Sequence, residues 1–158
     1  MSTDFSHLPY RPCVGIFLFN EDKKIFVGER LDNPGSWQMP QGGINEGESI
    51  EHAALREMRE ETGTDSAKIV QVSKTVYTYD LPHHLVGKLW QGKYKGQEQR
   101  WVALQFTGEE REITLYDGVH PEFMAYQWVD IDHVCDYIVP FKQETYQSVL
   151  DEFRCLVS

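Results

Sequence analysis

The sequence has few cysteines and no long apolar run. Its three cysteines, Cys13, Cys135 and Cys155, form no CxxC pair, so neither a disulfide framework nor a cysteine-rich zinc site is expected. We predict that they are core thiols of a protein in a reducing compartment. No segment approaches the roughly 20 apolar residues of a membrane span, and the N-terminus lacks a secretory pattern. We therefore expect a soluble, cytoplasmic protein without a membrane partner.

Positive charge is also scarce. The chain has 15 Lys and Arg against 25 Asp and Glu, which gives a formal net charge of -10 at pH 7. Proteins that bind nucleic acid along its length usually present a basic face, so binding along DNA or along an RNA backbone is not expected. If an acidic protein acts on a phosphorylated substrate, metal ions and a few placed basic side chains must supply the positive potential.

Internal repeats, low-complexity tracts and long flexible linkers are missing as well. A chain of 158 residues suits one domain with a substantial core. We predict an N-terminal tail at residues 1–7 and a single domain at residues 8–158. Strands are expected before, between and after two helices, which predicts an α/β (α+β layered) fold with a mixed sheet between helices.

Short apolar runs bounded by polar turns predict the strands. Residues 14–19 and 25–30 are expected to form a first hairpin around the turn at 20–24. Further strands are predicted at 69–79, 100–106 and 125–129. The segment 37–47, WQMPQGGINEG, is too rich in Gly and Pro to predict a regular element.

Two segments have helical patterns. Ser49 is a candidate N-cap for a helix whose apolar residues recur at helical spacing, and Gly63 stands where that helix would end. From Lys142 onward a one-sided apolar stripe predicts a C-terminal helix that packs on the sheet. The stripe consists of Tyr146, Val149, Leu150 and Phe153.

The first helix carries an unusual acidic face. Glu57, Glu60 and Glu61 lie at i, i+3 and i+4, so they project from one side of the helix and repel each other. On a solvated surface helix, Lys or Arg usually stands four residues after a glutamate, and here none does. Only Arg56, four residues before Glu60, offers a local partner. A basic residue that precedes the acidic one is the less favourable order on a helix. The alternatives are a plain acidic surface and a bound cation, and the cation explains the missing counter-charge better.

Clustered carboxylates suit Mg²⁺ or Mn²⁺, which prefer oxygen ligands and complete their shells with water and phosphate oxygens. Such a site handles polyphosphate, because the metal neutralises the substrate and activates a water while a spare carboxylate acts as base. The carboxylates alone leave metal binding and a plain acidic surface equally open.

The segment at residues 42–64, GGINEGESIEHAALREMREETGT, resembles the Nudix box. The box has a glycine, then a glutamate, then Arg-Glu-aliphatic-x-Glu-Glu-x-Gly-aliphatic at fixed spacing. Thr64 departs from it by standing where the family has an aliphatic residue. The positions that match are Gly42, Glu48, Arg56, Glu57, Met58, Glu60, Glu61 and Gly63.

This resemblance implies roles for the box residues. Glu57, Glu60 and Glu61 would ligate divalent cations, together with a backbone carbonyl near Gly42, and Glu57 or Glu61 would act as general base. Glu48 and Arg56 would brace the loop and the helix.

Similarity to one Nudix branch extends along the chain. That branch holds the bacterial RNA pyrophosphohydrolases and the plant-type asymmetric diadenosine tetraphosphate hydrolases. The stretches that carry it are YRPCVGI at 10–16, SWQMPQGGI at 36–44, GQEQRW at 96–101, PEFMAYQWV at 121–129 and PFKQETY at 140–146.

The branch resemblance also implies contacts outside the box. Glu122 would add, from a loop, a further carboxylate that binds the metal or acts as general base. Basic and aromatic side chains would hold phosphates or stack on the 5′-terminal base, although each could be an ordinary surface residue. The candidates are Arg11, Arg30, Phe141 and Lys142, with weaker support for Tyr79 and Arg100.

Three functions remain open from the sequence. The first is removal of pyrophosphate from 5′-triphosphorylated RNA, a step in RNA decay. The second is hydrolysis of diadenosine tetraphosphate to ATP and AMP. The third, a catalytically silent nucleotide sensor, fits poorly because such modules lose box glutamates and this chain keeps all of them.

Overall fold

The computed structural model describes residues 6–115 and 121–158. Seven strands form one mixed sheet whose main path runs β3-β2-β1-β6-β5, with β4 paired to β1 and β7 paired to β2. The strands are β1 (Tyr10–Phe19), β2 (Ile25–Arg30), β3 (Trp37–Gln38), β4 (Gln41–Gly43), β5 (Ala67–Asp80), β6 (Gly96–Phe106) and β7 (Phe123–Val129).

Helix α1 (Ile50–Thr62) covers one face of the sheet and helix α2 (Pro140–Phe153) covers the other. Val14, Ile16 and Leu18 of β1 pack with α1, whereas Phe17 and Phe19 pack with α2. This alternation is expected for a strand buried on both faces. The predicted layered class, a mixed sheet between helices, is confirmed. No helix in the described ranges is long and apolar enough to cross a membrane.

The centre of the sheet positions the functional residues. Strands β1 and β6 are parallel and pair from Tyr10↔Gly96 to Phe19↔Gln105. Strand β5 is antiparallel to β6 and pairs Tyr79 with Gln97. Side chains at equivalent positions on the three strands therefore lie side by side on one face.

Two predictions about regular elements need correction. Residues 37–47 contain the short strands β3 and β4, whose backbones pair with β2 and β1 and so need no apolar alternation. Helix α2 begins at Pro140, before the predicted Lys142, because proline is tolerated in the first turn, where the N–H has no helical partner.

The cysteines are not all core residues. Cys13 is buried, Cys135 is partly buried and Cys155 is exposed, and all three are free thiols. Thr64, the departure from the box, is buried; its hydroxyl accepts from the Ser66 N–H at 3.0 Å and donates to Glu112 Oε1 at 3.3 Å. These hydrogen bonds explain how a polar side chain fits a position that is aliphatic elsewhere.

Candidate active site

Local signals fix where α1 starts and stops. The Ser49 side chain accepts a hydrogen bond from the His52 N–H at 3.1 Å, and Gly63 closes the helix with φ 83°. Ala53, Ala54 and Met58 are fully buried against the sheet. With that face fixed, the glutamates at 57, 60 and 61 all border the same cavity.

The cavity has a volume of about 760 Å³ and lies where α1 and β4 meet the start of α2 and the ends of the central strands. Carboxylates, basic groups and an apolar wall all line it. The lining residues are Arg11, Cys13, Arg30, Gln38, Gln41, Gly42, Gly43, Glu57, Glu60, Glu61, Tyr79, Leu81, Pro82, Leu85, Leu89, Trp90, Gln97, Glu122 and Lys142.

Glu61 is the most confined carboxylate. It is 3% exposed, and its buried Oε2 has no hydrogen-bond partner among the described residues. Burial raises its pKa well above the usual value, and the nearby charges of Glu57 and Glu122 raise it further. A buried carboxylate oxygen without a donor is costly, so a cation would stabilise this arrangement.

Glu57 shares this environment. Its side chain is 12% exposed, and burial raises its pKa, with Glu60 and Glu122 adding repulsion while Arg56 opposes the rise. Gly42 faces it so closely that a Cβ at residue 42 would overlap the Glu57 carboxylate. The glycine therefore lets the β4 backbone approach the acidic group directly.

Arg56 gives the acidic face more compensation than its sequence position indicated. Its Nη1 donates to Glu57 Oε1 at 2.8 Å and to Glu60 Oε2 at 3.2 Å. Its Nε and Nη2 each donate to the Glu48 carboxylate at 2.8 Å, and Nη2 also donates to Gly43 O at 2.8 Å. The guanidinium holds the pKa of Glu48 far below its usual range. Arg56 thus ties α1 to the preceding loop.

The donor set suits a hard divalent cation, although the ligand sphere is not closed. Glu57, Glu60, Glu61 and Glu122 present carboxylates to one cavity, and Glu61 keeps an unpartnered oxygen there. Within residues 6–115 and 121–158, no three His, Cys, Asp or Glu side chains already form a metal-binding group. An open sphere fits Mg²⁺, which keeps waters and takes phosphate oxygens from its substrate.

Basic side chains border the same cavity. Arg30 donates to both carboxylate oxygens of Asp32, at 2.9 and 2.7 Å. Lys142 Nζ donates to Gln38 Oε1 at 3.3 Å, and burial together with Arg30 lowers its pKa to about 8. These cations give an acidic protein a local surface for a polyanion.

The Arg11 guanidinium contacts the side chains of Trp90 and Cys13. Its guanidinium lies 5.2 Å from the centre of the Trp90 ring, a cation–π distance. Its Nη1 donates to Cys13 Sγ at 3.4 Å. Burial raises the pKa of Cys13 to about 11, so this thiol stays protonated at neutral pH and is not a candidate nucleophile.

The predicted site residues divide into three groups. Those that border the cavity are Arg11, Arg30, Gly42, Glu57, Glu60, Glu61, Tyr79, Glu122 and Lys142. Glu48 and Arg56 are not among the lining residues. Arg56 contacts the site through Glu57 and Gly43, and Glu48 is connected to it through Arg56. Arg100 is exposed on β6 and does not line the cavity, and the Phe141 side chain lies outside the described residues.

Besides Cys13, Gln38 and the Gln41 side chain, sequence reasoning missed two further parts of the cavity. One is the apolar wall, formed by Leu81, Pro82, Leu85, Leu89 and Trp90 between β5 and β6. Its segment includes Trp90 in a left-handed conformation with φ 51°, which no sequence pattern predicted. The other is Gln97, which the alternation in GQEQRW could have marked as an inward-facing polar residue.

The NUDIX domain matches residues 9–149, which is most of the chain. The chain belongs to the Nudix family. The family assignment made from the box is thereby confirmed, and with it the assignment to enzymes that hydrolyse phosphorus-containing anhydrides.

Curated relatives match the Nudix chain over nearly its whole length. The RNA pyrophosphohydrolase of Sphingopyxis alaskensis is 49% identical and covers 98% of this chain and 99% of the relative. That of Novosphingobium aromaticivorans is 47% identical, covering 99% and 100%. That of Rickettsia prowazekii is 45% identical, covering 99% and 97%.

Solved structures share the Nudix fold at lower sequence identity. The E. coli dihydroneopterin triphosphate pyrophosphohydrolase superposes with a TM-score of 0.69 at 21% identity, covering 90% of this chain and 96% of that one. The C. elegans Ap4A hydrolase gives 0.61 at 15% identity, covering 94% and 99%. At these identities the likeness concerns the fold alone.

Proposed function

We propose that this protein is an RNA pyrophosphohydrolase that converts 5′-triphosphorylated RNA to 5′-monophosphorylated RNA. The observation that carries the proposal is one cavity that the box carboxylates line together with Arg11, Arg30 and Lys142. This combination suits a polyphosphate arm, because a divalent cation held by the carboxylates and the basic side chains would both bind phosphoryl oxygens. The curated relatives named above support the choice of RNA.

In this proposal Glu57, Glu60, Glu61 and Glu122 hold the divalent cation, Mg²⁺ or Mn²⁺, with the backbone near Gly42 as a further oxygen donor. When bound, the cation would neutralise the phosphate chain and polarise the attacked phosphorus. Glu57 or Glu61 accepts the proton of the attacking water, because both side chains border the cavity in which the phosphate chain would bind.

The remaining site residues bind and orient. Arg11, Arg30 and Lys142 hold phosphoryl oxygens, and Tyr79 lies beside them on β5. Arg56 fixes the Glu57 carboxylate and the Gly43 carbonyl, which keeps the loop and helix in register. The single-domain organisation over residues 8–158, the stacking role of Phe141, a contact from Arg100 and the cytoplasmic location stay predictions.

A second candidate function is hydrolysis of diadenosine tetraphosphate. The apolar wall favours it, because a second nucleoside at the far end of the phosphate chain could pack against Leu85, Leu89 and Trp90.

A direct comparison separates the two substrates. Purified protein with Mg²⁺ is offered 5′-triphosphorylated RNA and diadenosine tetraphosphate, and kcat/KM is measured for each. We expect the higher value for RNA. A strong preference for the dinucleotide would replace the proposal by the second candidate, and turnover of neither by a folded protein would favour a nucleotide sensor.

Lys142 gives the proposed activity a pH dependence. Burial lowers its pKa to about 8, so the ammonium loses its proton as the pH rises through that value. A neutral amine binds phosphate more weakly, so kcat/KM of the free enzyme should fall above pH 8. Lys142→Arg keeps its charge at alkaline pH, so its kcat/KM should stay flat there. Identical alkaline profiles for the two proteins would remove Lys142 from phosphate binding.

A further inference from the structure

Three glutamines, of which Gln97 and Gln99 are buried, connect the core to the cavity. Trp101, which is fully buried, donates its indole N–H to Gln99 Oε1 at 3.2 Å. Gln99 Nε2 then donates to Gln97 Oε1 at 2.9 Å and to Gln41 Oε1 at 3.1 Å. Gln97 and Gln41 both line the cavity, so the chain of hydrogen bonds runs from the core to the substrate site.

Trp101 sets the direction of every bond in this chain. An indole N–H only donates, so Gln99 must turn its carbonyl oxygen to Trp101 and its amide nitrogen to the other two glutamines. Gln97 and Gln41 must then turn their oxygens to Gln99. Their own amide nitrogens point away from Gln99, and no described acceptor takes a hydrogen bond from either.

Gln97 is the central member of a row of donors. The strand register places it beside Arg11 on β1 and beside Tyr79 on β5. All three residues line the cavity, and Gln97 is 5% exposed. Burial raises the pKa of Tyr79 to about 12, so its phenol keeps its proton.

We propose that Gln97 is a specificity residue that donates a hydrogen bond to a phosphoryl oxygen of the substrate, and that Trp101, acting through Gln99, is the residue that fixes this donor direction. This role rests on the proposed function, because Gln97 would bind the phosphate arm of the same substrate at the same site. Trp101 is a positioning residue, because it reaches the substrate only through the glutamines.

The chemistry of the row favours phosphate over a nucleobase. Phosphoryl oxygens only accept hydrogen bonds, and a guanidinium, an outward amide nitrogen and a protonated phenol all donate. A base edge usually presents donors and acceptors together, and its donors would find no fixed acceptor on this row. The Arg11 charge also favours an anionic ligand.

The first experiment reverses the direction of the Gln97 contact. Gln97→Glu keeps the shape of the side chain and replaces the N–H donor by an acceptor oxygen. Gln97→Met removes both the amide donor and the amide acceptor. Binding of imidotriphosphate, a hydrolysis-resistant inorganic probe without a base, is measured with Mg²⁺ by calorimetry. Because a hydrogen bond to a charged group is lost, we expect about 10-fold weaker binding for Gln97→Met and a larger loss for Gln97→Glu.

A matched control introduces the same charge elsewhere. Gln127 lies exposed on β7 and does not line the cavity, so Gln127→Glu should bind the probe as the wild type does. Probe binding that is unchanged in both Gln97 variants would overturn the inference.

The second experiment tests the role of Trp101. Trp101→Phe keeps an aromatic ring but removes the indole N–H, which frees Gln99 to turn over. KM for 5′-triphosphorylated RNA should rise about threefold, with kcat within about twofold of wild type, because a binding contact and not the chemistry is weakened. Trp128→Phe is the control variant, and its KM should equal that of the wild type. The Trp128 indole N–H is buried without a described partner, and the residue packs near α1.

The outcomes separate this inference from the proposed function. A wild-type protein that binds the probe through Gln97 but does not hydrolyse RNA would remove the proposed function and retain the donor row. Hydrolysis of RNA with an unchanged KM in the folded Trp101→Phe variant would remove the positioning role. If that variant does not fold, the Gln97 pair still decides the phosphate contact.

Discussion

Replacing Glu57 by Gln is expected to lower kcat by about 100-fold or more and to leave the fold intact, because a base or metal ligand is lost without a change of shape. Glu57 borders the cavity and lies against Gly42 and Arg56. The measurement is steady-state hydrolysis of 5′-triphosphorylated RNA with Mg²⁺, with circular dichroism as the test of folding.

Glu51→Gln is the matched control for that variant. Glu51 is an exposed residue in the first turn of the same helix and does not line the cavity. Its neutralisation should leave kcat close to the wild-type value. Equal turnover for Glu57→Gln and the wild type would remove Glu57 from the site.

Replacing Arg56 by Lys is the second change with a large expected effect. Arg56 donates at once to Glu48, Glu57, Glu60 and Gly43 O through three nitrogens. A lysine has a single nitrogen and cannot span these groups. Loss of such a brace typically lowers metal affinity or activity by about 10–100-fold. The Mg²⁺ dependence of kcat/KM should therefore shift to higher concentration.

The control for the brace is Arg59→Lys, which changes the same residue type on the exposed side of α1. It should leave the Mg²⁺ dependence unchanged. If Arg56→Lys also left it unchanged, the guanidinium would be a surface charge partner only, and the loop and the helix would keep their geometry without it.

Much of the fold could be predicted because its signals are local. Ser49 and Gly63 bound α1 by their own backbone and side-chain preferences, and the turn at 20–24 separates two apolar runs. Strands β3 and β4 could not be predicted in this way. Their pairing depends on β1 and β2, which contribute the backbone partners, and not on an apolar pattern of their own.

In the site, too, the features that depend on local sequence could be predicted, and those that depend on strand pairing could not. The glutamates at 57, 60 and 61 share one helix face, and the box pattern fixes their spacing, so both could be read from the sequence. The role of Gln97 depends on strand register, because β1 and β5 place Arg11 and Tyr79 beside it. Register between distant strands is set by the whole sheet and not by adjacent residues.

The contacts of Arg56 show why the charge pattern alone underestimated the compensation of the acidic helix face. Counting residues four positions apart found one weakly placed partner for the acidic face, whereas the folded chain wraps the guanidinium around both Glu57 and Glu60. Even so, Glu61 keeps a buried oxygen without a described partner. The unsatisfied charge that suggested a cation is therefore concentrated on Glu61 and not spread over the helix.

The most direct test of the account is the fate of the 5′ end itself. RNA carrying a labelled 5′-triphosphate is incubated with the protein and Mg²⁺, and the ends are resolved by mass spectrometry. The account predicts 5′-monophosphorylated RNA of unchanged length, formed only with divalent cation and lost in Glu57→Gln. Intact triphosphate ends with folded protein, or conversion that continues without divalent cation, would contradict it.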